Sequence, residues 1–231
     1  MKMDYISDLH LDFYGDIDLE PICGDGDTLL IAGDLSNNNK QTEHALSVFC
    51  SVYSNVVMVS GNHDLYGNTF ERLDGLRAMC KRYGVALLDN ETTEIGGIVI
   101  GGGSGWCDFS YSGNQWSVYD YKNRLNDLRM IDNNYFSRGV YAFAIEQREK
   151  IHDISNNCDV LLTHYGGRKR AIAEKYKYDK TTDYFYFDGE SIENLWVFGH
   201  QHTHYEDSNT FVNPCGYPFE NNIMKVKRIS C

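Results

Sequence analysis

The stretch Val56-Val57-Met58-Val59-Ser60-Gly61-Asn62-His63-Asp64 decides how the rest of the chain is read. Four apolar residues in succession mark a strand buried on both faces. At its tip stand a glycine, an amide, an imidazole and a carboxylate, followed by the turn-like Tyr66-Gly67-Asn68. In open α/β sheets, ligands gather at the carboxyl ends of strands. Side chains of these kinds can hold a metal and move a proton. Taken alone, the tip reads equally as a polar loop opening the next helix, because a short motif is only a hypothesis.

The pattern recurs along the chain. Residues 3–6 read as a short strand running into Ser7-Asp8-Leu9-His10. Two positions apart on an extended backbone, Asp8 and His10 point to one side. Thr28-Leu29-Leu30-Ile31-Ala32 ends in Gly33-Asp34, where glycine lets the backbone turn tightly and approach a ligand. Residues 158–162 lead to Thr163-His164, and residues 195–198 lead to Gly199-His200-Gln201-His202. Five of the 8 histidines lie at such tips, whereas His44 and His152 fall in helical stretches. Laid side by side, the tips offer two aspartates, one asparagine and four histidines to one crevice. Three or four ligands suit one catalytic metal; seven suit two, with one carboxylate shared. Imidazole and carboxylate without thiolate suit manganese foremost, with iron, zinc, nickel or cobalt as alternatives. Two such ions about 3.5–4 Å apart form a clamp for in-line displacement at phosphorus.

Between the tips the chain alternates helices and strands. Apolar spacing predicts helices over 42–53, 69–83 and 139–154, with Ala45, Leu46, Phe49, Phe70, Leu76 and Met79 among the inward residues. Strands are expected at 85–88, 91–95 and 98–100, with Gly96-Gly97 as a hairpin turn. Gly101-Gly102-Gly103 lacks both GxGxxG and Walker spacing, so it reads as a strand end in close backbone contact rather than a phosphate loop. Residues 105–136 are the least regular and carry Trp106, Asp108, Phe109, Tyr111, Trp116, Tyr119 and Tyr121, then Asn123, Arg124, Asn126 and Arg129. A long segment of this kind either grips a base and a phosphate or is a cap packed by its own aromatic rings. Arg168-Lys169-Arg170 could meet a phosphate or be a solvated run. The Tyr- and Lys-rich stretch 175–187 is a candidate site wall, and 211–214 and 223–229 complete the sheets.

The chain has 231 residues, enough for one domain spanning 1–231 with a cap or insert around 104–137. Its net charge of -12 makes it a poor binder of nucleic-acid backbones and a natural host for divalent cations. Its 7 cysteines are scattered without a CxxC pair, which predicts free thiols in a reducing compartment. The first residues lack a signal-peptide core, and no run reaches a membrane span. The expectation is a soluble, cytoplasmic protein acting on a small molecule.

In order, Asp8-x-His10, Gly33-Asp34, Gly61-Asn62-His63-Asp64, His164 and Gly199-His200-x-His202 resemble the calcineurin-like metallophosphoesterase superfamily. The resemblance implies an α/β four-layer sandwich: two mixed sheets packed face to face and flanked by helices. It implies that Asp8, His10, Asp34 and His202 hold one divalent metal and that Asp34, Asn62, His164 and His200 hold the other. His63 would then protonate the leaving oxygen, oriented by Asp64, while a hydroxide between the metals attacks. Leu35-Ser36-Asn37 stands where the protein Ser/Thr phosphatases have Asp-Arg-Gly, which argues against a phosphoprotein substrate. Trp106-Cys107-Asp108-Phe109 and Asn213-Pro214-Cys215-Gly216-Tyr217 look like elements of a bacterial and phage branch with small substrates. Tyr165 occupies the place of a second histidine in many relatives, which bears on substrate preference. The expected activity is hydrolysis of a phosphodiester, of nucleotide type or another small molecule, with Trp106, Asp108, Arg124, Tyr165 and Arg168 as candidate substrate contacts. A phosphomonoesterase, a short-strand nuclease and a catalytically silent scaffold are the alternatives.

Overall fold

The apolar runs become strands because their alternate residues each find an apolar partner on opposite faces. The computed structural model describes residues 1–67, 71–113, 117–220 and 222–229. In chain order it contains β1 (Met3–Ile6), β2 (Thr28–Ala32), α1 (Asn39–Val52), β3 (Asn55–Val59), α2 (Glu71–Tyr83), β4 (Ala86–Leu88), β5 (Glu91–Ile95) and β6 (Ile98–Gly103). There follow α3 (Ser117–Arg124), α4 (Asp127–Met130), α5 (Val140–Ser155), β7 (Val160–Thr163), β8 (Leu195–Phe198), β9 (Tyr205–Glu206), β10 (Thr210–Val212) and β11 (Lys227–Ile229). One sheet has the order β11-β1-β2-β3-β4 and the other β5-β6-β7-β8-β10-β9. Both are mixed: β11, β5 and β9 run antiparallel to their neighbours at the edges.

Leu30, Ala32, Val57 and Val59 of the first sheet share a buried cluster with Ile100, Leu162 and Val197 of the second. Their neighbours Leu29, Ile31, Val56 and Met58 turn the other way, into a cluster with Ala45, Leu46 and Phe49 of α1 and Leu76 and Met79 of α2. Beyond the second sheet, Leu161, Trp196 and Phe198 cluster with Val140, Ala144 and Ile151 of α5. Four layers result, as the resemblance implied. Helix α1 starts three residues earlier than its apolar stripe suggests, because the Asn38 side chain accepts from the backbone N–H of Lys40 and Gln41. The expected inward Phe70 and the expected start of α2 at Thr69 lie outside the described residues, as does Trp116. Residues 101–103 continue β6, and a Cβ on Gly102 would meet Val59 Cγ1 at 3.0 Å as well as the Leu162 carbonyl oxygen. Close contact with the neighbouring strand β7 and with Val59 of the facing sheet, not a phosphate, explains that glycine. At the C-terminal end only Lys227–Ile229 forms a strand, shorter than the expected 223–229. Among the described residues, no helix is long and apolar enough to cross a membrane.

Strands β1, β2 and β3 are parallel and in register, with Ile6 opposite Ile31 and Ala32 opposite Val59. Their tips therefore emerge along one edge. What fixes them there is the buried carboxylate of Asp64. Its Oδ2 accepts from the backbone N–H of Asp34 and of Gly61, each at 2.8 Å, and its Oδ1 accepts from Leu35 N–H at 2.9 Å and Ser36 N–H at 3.3 Å. One side chain thus satisfies four amides on two different loops. Asp64→Asn presents an NH2 to N–H donors whichever way the amide turns. The variant is expected to lose about 2–4 kcal/mol of stability, read as a lowered urea midpoint of the metal-free protein. A midpoint equal to wild type would show that the clamp is dispensable.

Candidate active site

Five strand tips bring their side chains to one edge of the sandwich. Asp8, His10, Asp34 and His164 are essentially inaccessible to solvent, and His200 and His202 are partly open to it. Among the described residues, three groups have ligating atoms within 4.8 Å of one another: Asp8, His10 and His202; His10, Asp34 and His63; Asp34, His164 and His200. Asp34 stands between the outer two, its Oδ2 lying 3.6 Å from His10 Nε2 and 3.4 Å from His164 Nε2. Asn62 Oδ1 lies 3.1 Å from His164 Nε2, so the amide joins the Asp34, His164 and His200 group. All seven residues expected as metal ligands converge.

The backbone is bent to do this. Seven described non-glycine residues have positive φ, and five of them are Asp8 (51°), His10 (44°), Asp34 (55°), His200 (66°) and His202 (46°). The extended backbone expected at Asp8 and His10 is therefore replaced by left-handed turns. Such residues cost of order 1–3 kcal/mol each and persist only where their surroundings over-determine them. Here the surroundings are bonds between tips: His10 N–H to Asp34 O at 3.0 Å, Asp8 N–H to Gly33 O at 3.0 Å and His200 N–H to Asp8 Oδ1 at 2.9 Å. Gly33 is needed because a Cβ would meet His164 Nδ1 at 2.6 Å and Gly61 N at 2.7 Å.

The donor set fits divalent cations. Three imidazoles have the nitrogen away from the cluster tied to an oxygen: His164 Nδ1 to Ala32 O at 2.9 Å, His202 Nδ1 to Glu220 Oε2 at 2.7 Å and His200 Nε2 to Tyr184 O at 3.3 Å. A nitrogen facing such an oxygen carries the proton, which leaves the inward nitrogen with a lone pair; this is the usual arrangement of metal-binding histidine. The inward nitrogens crowd together, at 2.9 Å between His10 and His202 and 3.1 Å between His164 and His200. The buried carboxylates favour positive charge beside them. Burial disfavours charge on His164, but the Asp34 carboxylate outweighs this and raises it to about 9. His202 is likewise raised to about 10 against burial by Asp8 and Glu220. Their partners respond oppositely: burial brings His10 down to about 4 and holds His200 well below its usual range. Burial would raise Asp34, yet the imidazoles His164 and His63 beside it hold it well below the usual carboxylate range. The cluster asks for positive charge, and cations supply it without leaving half the imidazoles idle.

A cavity of about 470 Å³ opens beside the cluster, lined in part by Asp34, Asn62, His200 and His202. His63 enters it with its ring stacked on Tyr66 at 4.3 Å and its Nε2 3.2 Å from the Tyr217 hydroxyl. The expected orientation of His63 by Asp64 is not what the structure shows. Asp64 is occupied by four backbone amides, and His63 Nδ1 has no hydrogen-bond partner among the described residues. Of the candidate substrate contacts, Arg124 lines the cavity and four do not. Trp106 is 0% exposed, with Phe136 and Tyr165 rings 5.2 and 4.9 Å away. Asp108 is buried against Arg148 at 3.0 Å. Arg168 is buried with its guanidinium 5.3 Å from the Trp196 ring. Tyr165 is also buried, its ring 4.1 Å from that of His200, which it supports. Large aromatic rings gain most by leaving water, so the aromatic segment forms core around Trp106 rather than a gripping surface. The neighbouring Lys169 sits over Tyr111 and Arg170 pairs with Asp207, so the basic run is spent on local contacts.

The cavity wall instead comes from residues to which the sequence gives no substrate role: Phe13, Tyr66, Tyr217, Glu220 and Asp127, together with Tyr176 and Phe185 from the expected wall segment. Tyr217 lies within the Asn213–Tyr217 motif, which is the available signal. Asp127 and Glu220 carry none, since each acts through a partner distant in sequence.

The family profile of the calcineurin-like phosphoesterases matches residues 1–204. Among solved structures, the phosphopantetheinyl hydrolase of Mycobacterium tuberculosis is similar with a TM-score of 0.75 at 20% identity, over 99% of this chain and 95% of that one. The protein TT1561 of Thermus thermophilus is similar with a TM-score of 0.55 at 11% identity, over 99% of this chain and 98% of that one. Likeness at these identities is likeness of fold. No curated protein matches the chain in sequence. The profile match over most of its length settles its kinship: the chain belongs to the calcineurin-like phosphoesterases, metal-dependent hydrolases of phosphoric esters.

Proposed function

We propose that the chain hydrolyses a phosphodiester of a nucleotide or another small molecule on two divalent cations. The observation that carries this reading is the position of Asp34, one carboxylate oxygen facing an imidazole of each ligand group. Asp8, His10, Asp34 and His202 would hold one cation; Asp34, Asn62, His164 and His200 would hold the other. Manganese is the first ion to test, and iron, zinc, nickel and cobalt also suit a nitrogen and oxygen set without thiolate. Bound there, the pair would neutralise phosphoryl charge and lower the pKa of water. The chain's own part is to place the ester and to protonate its leaving oxygen. His63 is the group for the second task, since its ring enters the cavity and Tyr66 and Tyr217 hold its orientation.

A diester is favoured over a monoester by charge and shape. Among the described residues lining the cavity, Arg124 is the one lysine or arginine, while Asp34, Asp127 and Glu220 are acidic. A diester carries one negative charge and two organic arms, and the aromatic wall gives those arms apolar surface. Extended nucleic acid is disfavoured by the net charge of -12 and by the local engagement of Arg168, Lys169 and Arg170. The fold neighbour's name makes phosphopantetheinyl esters one substrate to assay. A silent scaffold would have no reason to keep all seven ligand residues together. The six cysteines within the described residues are free, in keeping with a cytoplasmic setting.

With manganese present, a chromogenic bis-aryl phosphate is expected to be cleaved faster than the mono-aryl ester. Cleavage of the mono-ester alone would overturn the diesterase reading. His63→Ala is expected to keep two bound manganese ions and the wild-type melting temperature while losing about 10²–10⁴-fold in turnover. If metal analysis of that variant finds an ion missing, His63 is a ligand and not the acid.

A further inference from the structure

Asp127 opens the short helix α4, and it is 1% exposed. Its Oδ1 accepts from the Tyr66 hydroxyl at 2.6 Å and from Asn62 Nδ2 at 2.9 Å, and its Oδ2 accepts from the Tyr121 hydroxyl at 2.6 Å. The Tyr66 oxygen, having given its proton to Asp127, accepts from Asn62 Nδ2 at 3.2 Å. This arrangement permits one amide orientation only. A carboxylate offers acceptors alone, so the end of Asn62 that faces it must be the NH2. The carbonyl end is then the one held 3.1 Å from His164 Nε2. Turned the other way, the amide would set its oxygen against a carboxylate and its NH2 where a cation belongs.

We infer that Asp127 is a positioning residue for the metal centre: it locks Asn62 so that the amide oxygen faces the Asp34, His164 and His200 group. The inference rests on the two-cation reading of the site. An asparagine is neutral and its two ends have nearly the same shape, so nothing in its own packing prevents it from turning. The lock comes from outside the strand tips. Tyr66 follows β3, Tyr121 lies on α3, and both give their protons to the same carboxylate. The segment that follows β6 is thereby joined to a cation ligand that β3 supplies.

Manganese titration of the chelator-stripped protein by calorimetry tests this. Wild type is expected to bind two ions. Asp127→Ala is expected to weaken one of them about 10–100-fold and to leave the other. Asp127→Asn is expected to stay within about threefold of wild type, because its oxygen can accept from Asn62 and Tyr66 while its NH2 donates to the Tyr121 oxygen. Two ions bound with wild-type affinity in Asp127→Ala would overturn the inference, as would an Asp127→Asn variant as weak as Asp127→Ala. If Asp127→Ala does not fold, the metal-free wild type decides the matter by nuclear magnetic resonance. The Asn62 side-chain NH2 signals, assigned by their loss in Asn62→Ala, should exchange slowly with solvent, and fast exchange overturns the lock. Fewer than two ions in the wild type would overturn the two-cation reading itself, a result separate from any difference between variants.

Discussion

A single buried carboxylate sets the geometry on which the rest of this molecule depends. The loop after β2 and the loop after β3 each present amides that no strand can satisfy. Left unpaired and buried, each would cost roughly 1–3 kcal/mol. Asp64 takes four of them at once. Burial and the charge of Asp34 push its carboxyl up, and the amide bonds oppose them. Both oxygens already face donors, so there is no place for a proton and the group is held as an anion. With these two loops fixed to each other, Asp34 and Asn62 can be presented to the same point in space.

The same economy explains the left-handed residues. A ligand at a strand tip is useful only if its side chain turns back over the edge of the sheet. Extended backbone would send Asp8 and His10 past it. Positive φ at Asp8, His10, Asp34, His200 and His202 makes the turn within one residue each. Bonds from tip to tip hold those turns, and the apolar sheets beneath supply the rigidity. Strain is thus concentrated at the edge where ligands gather, while Leu30, Val57, Leu162 and Val197 form an ordinary interior.

Much of this is legible in the sequence, for a physical reason. A buried strand announces itself by an unbroken apolar run, and a ligand next to it in sequence must lie next to it in space. All seven expected ligands are of this local kind, and all seven converge. The aromatic segment is ambiguous because ring chemistry is the same in a core and on a platform. Trp106 follows β6 and is drawn under α5, where Phe136 and Phe143 surround it. Adjacency suggests that Asp64 partners His63, and here it misleads. On a tight turn, adjacent side chains point apart, and His63 meets Tyr217, 154 residues away, instead.

The residues that sequence patterns miss share a property: each matters through a bond to something remote. Glu220 holds His202, and Asp127 holds Asn62 across 65 positions. Neither has a spacing, a periodicity or a neighbouring motif to betray it. Their chemistry is nevertheless constrained by the ligands they serve. An imidazole whose inner nitrogen is to bind a cation needs an acceptor behind it, and an amide whose oxygen is to bind one needs an acceptor behind its NH2. Both demands call for a carboxylate or a carbonyl at the far end of the ligand. The expected ligands therefore call for acceptors behind them, drawn from wherever the fold brings chain close: here the carboxylates of Glu220 and Asp127 and the backbone carbonyls of Ala32 and Tyr184.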